Sequence, residues 1–317
     1  MQNKKFWKIA SLILGCSFIF TNAQAAVRFE ATIGADAKKL WSDEGNKIRC
    51  NLNYDIPDYG YVSFTALAGR EIKTSMGVHP KLGITANSLM CFIAARPEWQ
   101  SGGQERLLGK IKLYSGYDAY AGPTLSFKVM NALNQGKQIF MPYTDKTVAS
   151  GQNIVPVLSP LGFKDHYEKF ISCQQQLLRV SFNDVQLLPL VFSFQSDKLT
   201  AKTERSLKEQ LEYLQQDKSV NHIVIRTFSY DMDSKDDCIA MAKKRADAVK
   251  KYYVDAGVND EDIELKQFNA LTVQSFVQGQ EANRDPTARN GLVQLNRDES
   301  DPRSLKDLDL PDVGAED

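Results

Sequence analysis

Between His222 and Tyr253 the sequence changes its hydrophobic period, and that change restricts the fold more than any other stretch. His222-Ile223-Val224-Ile225-Arg226 is short, β-branched and bounded by polar residues, the pattern of a strand. Four aspartates follow, Asp231, Asp233, Asp236 and Asp237. Then Ile239, Ala242, Ala246, Val249 and Tyr253 recur at steps of three and four, the period of a helix with one buried stripe. Arg245 lies beside that stripe, and side chains on a helix lean toward its N-terminus, so Arg245 can point back at the strand end. An acid at the strand end and this guanidinium would together suit a zwitterion. The plainer alternative is an exposed helix whose acidic start is favoured by its own dipole.

The arrangement resembles the OmpA-like peptidoglycan-binding domain, where a strand-end Thr-Asp precedes a helix bearing Leu-Ser-x-x-Arg-Ala. Tyr230-Asp231 stands at the first place and Met241-Ala242-Lys243-Lys244-Arg245-Ala246 at the second. The resemblance implies that Asp231 holds the ammonium and Arg245 the carboxylate of diaminopimelate in a wall peptide, with Asp233 as substitute acid if the loop shifts. The sequence also departs from the family. The glycine after the aspartate is missing, Phe268-Asn269-Ala270 replaces a Gly-x-Gly, and Asn290-Gly291-Leu292-Val293 replaces Asn-Arg-Arg-Val. Each charged hydrogen bond lost to a ligand is worth about 1.5–3 kcal/mol.

The 317 residues suggest about two domains. Lys4, Lys5 and Lys8 precede a short apolar run ending in Ala23-Gln24-Ala25, a secretory signal over 1–25. Without those three lysines, 36 basic residues face 39 acidic ones, a net charge of −3 that argues against nucleic acid as a partner. Cys50, Cys91, Cys173 and Cys238 remain, and four cysteines pair in three ways.

From Val27 to about Pro160 the chain reads as short strands broken by turn signals. Val62, Phe64 and Ala66 alternate with polar neighbours, as do Ile111 and Leu113. A helix carrying Leu125, Val129, Ala132 and Leu133 ends before Gly136. Phe163, Tyr167, Phe170, Cys173 and Leu177 stripe a second helix, which turns Cys173 toward the apolar side. A bridge to a strand bearing Cys50 and two separately buried thiols both fit that spacing. The expected form is a β-rich barrel or sandwich over 26–178.

In this half the runs Ile48-Arg49-Cys50-Asn51-Leu52, Ile56-Pro57-Asp58-Tyr59-Gly60, Pro97-Glu98-Trp99, Tyr117-Asp118-Ala119-Tyr120-Ala121-Gly122 and Ser172-Cys173 through Asp184 resemble, in that order, the N-terminal domain of the MotY family. Those proteins are periplasmic components of sodium-driven flagellar motors. The resemblance implies a Cys50–Cys173 disulfide, a place in the periplasm at the flagellar basal body near the outer membrane, and a MotX-like partner.

Over 179–297 the order strand, helix, strand, helix, strand, strand predicts an α+β OmpA-like sandwich. Its strands begin with Leu190-Val191-Phe192-Ser193-Phe194 and end with Gly291-Leu292-Val293-Gln294-Leu295. Residues 298–317 hold eight carboxylates against Arg303 and Lys306, the composition of a disordered tail. His79, His166 and His222 are far apart in sequence, with no partner at metal or triad spacing. Lys235 occupies a ligand position of what begins as a calcium loop at Asp231. No cofactor, metal or enzymatic activity is expected.

Overall fold

The computed structural model describes residues 26–31, 39–97, 100, 104–145, 152–267 and 290–297. The signal segment, the acidic tail and Phe268-Asn269-Ala270 therefore lie outside the described residues. The chain divides into two compact units between Leu177 and Leu178.

The N-terminal unit contains two open sheets. One is antiparallel, in the order β2 (Trp41–Gly45), β3 (Arg49–Ile56), β4 (Gly60–Leu67), β5 (Thr74–Pro80) and β8 (Ala119–Ala121). Its strands alternate as a half-buried sheet requires. Leu52, Tyr54, Val62, Phe64, Met76 and Val78 are buried on the inner face, while Asn51, Ser63, Thr65 and His79 share the outer face. The second sheet runs β1 (Val27–Phe29), β11 (Gln152–Leu158), β9 (Gln138–Phe140), β6 (Ser88–Ala95) and β7 (Arg106–Leu113), with β10 (Tyr143–Asp145) also on β11. Of the two forms expected, the described residues show sandwich-like sheets and no closed barrel. Each sheet keeps two edges, so neither closes on itself.

Among the described residues, two helices complete the unit. Helix α1 (Pro123–Asn134) starts with proline in its first turn and is followed by Gly136 at φ +77°, a conformation glycine adopts without strain. Helix α2 (Phe163–Gln175) sets Phe163 4.9 Å, ring to ring, from Trp41, whose indole also packs on Tyr54 and donates to the Ser159 carbonyl at 2.9 Å. The same helix brings Cys173 to Cys50, and the two form a disulfide.

The C-terminal unit is a four-stranded sheet in the order β12 (Leu187–Val191), β15 (Asn290–Arg297), β13 (Val220–Thr227) and β14 (Ile263–Gln267). A short helix α3 (Phe182–Val185) leads in, held by a Ser181–Asp184 capping box. Helices α4 (Ala201–Gln216) and α5 (Lys235–Asp255) bury Leu207, Leu211, Ala242, Ala246, Val249 and Tyr253 together with strand residues Leu190, Ile223, Ile225, Val293 and Leu295. Tyr253 donates to Gln210, and Gln210 donates to the Val185 carbonyl at 2.6 Å, so one buried amide ties α3, α4 and α5 together.

Two expectations shift. The first strand of this unit begins at Leu187 and ends at Val191. Phe192 makes only an isolated bridge to Leu199, and Phe194 is exposed, because the chain turns at Gln195 (φ +46°). On α5 the buried stripe runs through Cys238 and Arg245, whereas Ile239 is exposed.

Candidate functional site

Three segments of the C-terminal unit converge where β13 ends. Thr227 is fully buried, and its hydroxyl donates to the Ala242 carbonyl at 2.7 Å, fixing the strand end against α5. Ser234 caps α5 by accepting from the Asp237 amide at 3.1 Å, and its hydroxyl donates to the Asp237 carboxylate at 2.6 Å. Asp236 and Asp237 lie in the first turn, at the positive end of the helix dipole. The turn after β12, closed by a bond from the Ser193 amide to the Lys198 carbonyl, forms the third wall.

Asp231 and Arg245 meet between these walls. Nη2 of Arg245 donates to both carboxylate oxygens of Asp231, at 2.8 and 3.1 Å. Asp231 also accepts from the Ser229 hydroxyl at 2.6 Å and the Gln195 amide at 2.7 Å. Arg245 spends its other donors on backbone, Nε to Ser196 at 2.9 Å and Nη1 to Phe228 at 3.1 Å, with its guanidinium 5.2 Å from the Phe192 ring. The side chains are 1% and 0% exposed, so this is a desolvated pair with every arginine nitrogen engaged. Burial pushes the Asp231 carboxyl up, but the bonds from Arg245, Ser229 and Gln195 outweigh it and hold the pKa below the ordinary 3.8.

The acid and the base proposed from sequence are thus brought together, facing each other. Asp233 is not part of the cluster: it is exposed in the loop before α5. Gly291, at one of the places where the resemblance would put arginine, sits between β12 and β13. A Cβ there would lie 2.6 Å from the Arg226 carbonyl and 3.1 Å from Leu190, leaving no room for a side chain.

Sequence reasoning missed a second buried pair in this unit. Arg297, the last residue of β15, donates to Asp217 at 2.8 Å and to Tyr213 at 3.3 Å, with its guanidinium 3.8 Å from the Phe182 ring centre. Asp217 also accepts from the Ser219 hydroxyl and amide. Burial raises the Asp217 carboxyl, yet Ser219 and Arg297 bring it below 3.8, while burial and Asp217 push Tyr213 up to about 12.

Sequence spacing gives no sign of the partners that the three histidines have. Each has a carboxylate partner, His79 with Asp118 at 2.7 Å, His166 with Asp43 at 2.5 Å and His222 with Glu264 at 3.1 Å. Sheet pairing and helix packing join residues that sequence distance separates. Among the described residues no cluster of three or more potential ligands could hold a metal ion, and no helix is long and apolar enough to cross a membrane.

The C-terminal unit is an OmpA-like α+β domain, and residues 191–290 match the OmpA family. Residues 30–179 match the MotY N-terminal domain, so the chain joins a MotY N-terminal domain to an OmpA domain. It is 22% identical over 265 residues to the sodium-type flagellar protein MotY of Vibrio parahaemolyticus, covering 83% of this chain and 89% of that one. Among solved structures, the OmpA-like domain of FopA1 from Francisella tularensis aligns with 35% of this chain and 75% of its own, at 18% identity and a TM-score of 0.29. The periplasmic domain of Helicobacter pylori MotB aligns with 36% of this chain and 75% of its own, at 19% identity and a TM-score of 0.29.

Proposed function

We propose that this chain is a periplasmic component of a flagellar motor, secreted through a cleaved signal peptide. In this reading the OmpA domain engages peptidoglycan, and the N-terminal domain docks on the basal body near the outer membrane. With a MotX-like protein it helps form the ring that holds the stator. The observation that carries the proposal is the joining of these two domain types in one chain, matched along most of its length by a flagellar MotY.

The closed Asp231–Arg245 pair suggests how a wall peptide would bind. A zwitterion can exchange into an ion pair without leaving a charge uncompensated: its ammonium replaces the guanidinium on Asp231 while its carboxylate takes Arg245. Asp233, exposed nearby, would meet the ligand at the rim. Diaminopimelate of the stem peptide has the required paired charges. Sedimentation with purified sacculi tests this: Arg245→Lys, which keeps the charge and loses the fork, should pellet several-fold less than wild type while still folded. Equal pelleting would remove these residues from the wall contact. Deletion of the gene should abolish or slow swimming, and unimpaired swimming would end the motor proposal.

A second reading is favoured by the near-complete burial of the pair and its saturated hydrogen bonds. Here the pair is a permanent brace and the domain a docking scaffold. Wild-type protein that ignores sacculi while motility still requires it would select this reading over the first.

A further inference from the structure

The outer face of the five-stranded sheet carries a second polar constellation, independent of the wall-binding proposal. Ser63 on β4 lies directly across from Gly77 on β5, and Tyr61 lies across from His79. The Ser63 hydroxyl is 3.0 Å from His79 Nε2, and His79 Nδ1 is 2.7 Å from an oxygen of Asp118, just before β8. Tyr61 stacks on the imidazole at 4.4 Å with the rings 18° apart, fixing its plane. Gly77 is what lets the ring lie there: a Cβ would be 2.4 Å from Nε2 and 3.1 Å from the Ser63 oxygen. The His79 side chain is 24% exposed and that of Asp118 59%, so the array opens to solvent.

This is a nucleophile, a base in hydrogen-bond reach of it, and an acid orienting the base, the geometric signature of an activated serine. In the tautomer that donates Nδ1–H to Asp118, Nε2 offers its lone pair to the Ser63 hydroxyl.

We propose that Ser63 is a base-activated nucleophile that reacts with small activated acyl esters. Ser63 Oγ bonds to the acyl carbon as its proton passes to His79 Nε2. The bond from that carbon to the leaving oxygen breaks, and the departing alcohol takes the proton from His79. Water, deprotonated by the same ring, then cleaves the acyl-serine, releasing the acid and restoring the hydroxyl. Asp118 is the positioning residue.

The test uses the full chain with p-nitrophenyl acetate and with a fluorophosphonate probe, read by intact mass and peptide mapping. One phosphonyl adduct at Ser63 is expected, absent in Ser63→Ala. His79→Gln should slow labelling and ester cleavage by about 100-fold or more, the low end of what a positioned base contributes. Asp118→Asn, at a largely exposed side chain, should lower the rate and alter its pH profile without lowering the melting temperature. Absence of any adduct, an adduct on another residue, or a His79→Gln rate equal to wild type would each overturn the proposal and leave the array as a cross-strand latch.

Discussion

At the scale of single residues, the Asp231–Arg245 pair behaves as one unit, because each group is desolvated and compensated by the other. Removing one partner strands a buried charge, at a cost of about 3–5 kcal/mol. Asp231→Ala should therefore lower the urea unfolding free energy of the C-terminal unit by about that amount. Asp233→Ala, at an exposed position, should stay within about 0.5 kcal/mol of wild type. A change below about 1 kcal/mol in Asp231→Ala would contradict the burial described. The pH dependence has a fixed sign. Asp231 and Asp217 both have folded-state values below 3.8, so their stabilisation is complete above that pH and is lost as pH falls through the folded values. Urea midpoints for this unit should hold steady down to about pH 5 and drop toward pH 2. A flat profile across that window would show that the carboxylates gain nothing on folding.

At the scale of elements, periodicity carried most of the fold and missed in specific places. The strand at 220–227 and the helix at 235–255 were legible because both patterns are long and uninterrupted. Periodicity and hydropathy put Ile239 on the buried stripe, because hydropathy ranks isoleucine above cysteine. The helix instead buries Cys238, whose thiol reaches the Met232 carbonyl at 3.8 Å, one position earlier. The first strand of the OmpA domain lies three residues earlier than its pattern suggests, since Phe192 and Phe194 look like strand residues and nothing apolar marks the turn at Gln195. Strand β6 lies between β9 and β7 in its sheet and is buried without a break from Met90 to Ala94, so both its faces are covered by other layers and no alternation flags it. The site was half legible. Spacing suggested that Asp231 and Arg245 approach, but their mutual pairing depends on Gln195 and Ser196, 36 and 49 residues away from their partners. Strand packing also explains the lost arginine. Even Gly291→Ala should cost about 1–3 kcal/mol by overpacking against the Arg226 carbonyl. A neutral Gly291→Ala in a melting experiment would mean that β15 has slack there.

At the scale of the whole molecule, the Cys50–Cys173 bridge joins β3 to the helix that ends the N-terminal unit, across a separation of 123 residues. Closing so long a loop stabilises by about 2–5 kcal/mol, chiefly by restricting the unfolded chain. In the full chain, Cys173→Ala should lower the melting temperature of this unit and leave unfolding of the C-terminal unit untouched. An unchanged melt would assign the stability to the Trp41–Phe163 packing alone.

The same bridge has a mechanical consequence. Tension entering the N-terminal unit at Leu177 meets a covalent tie four residues earlier, so the force bypasses the intervening strands and is carried directly to β3. About 400 Å of contour stays shielded from extension until the sulfurs are reduced. In an optical trap, the oxidised protein should lengthen by that much less than the reduced one, the behaviour of a load-bearing clamp.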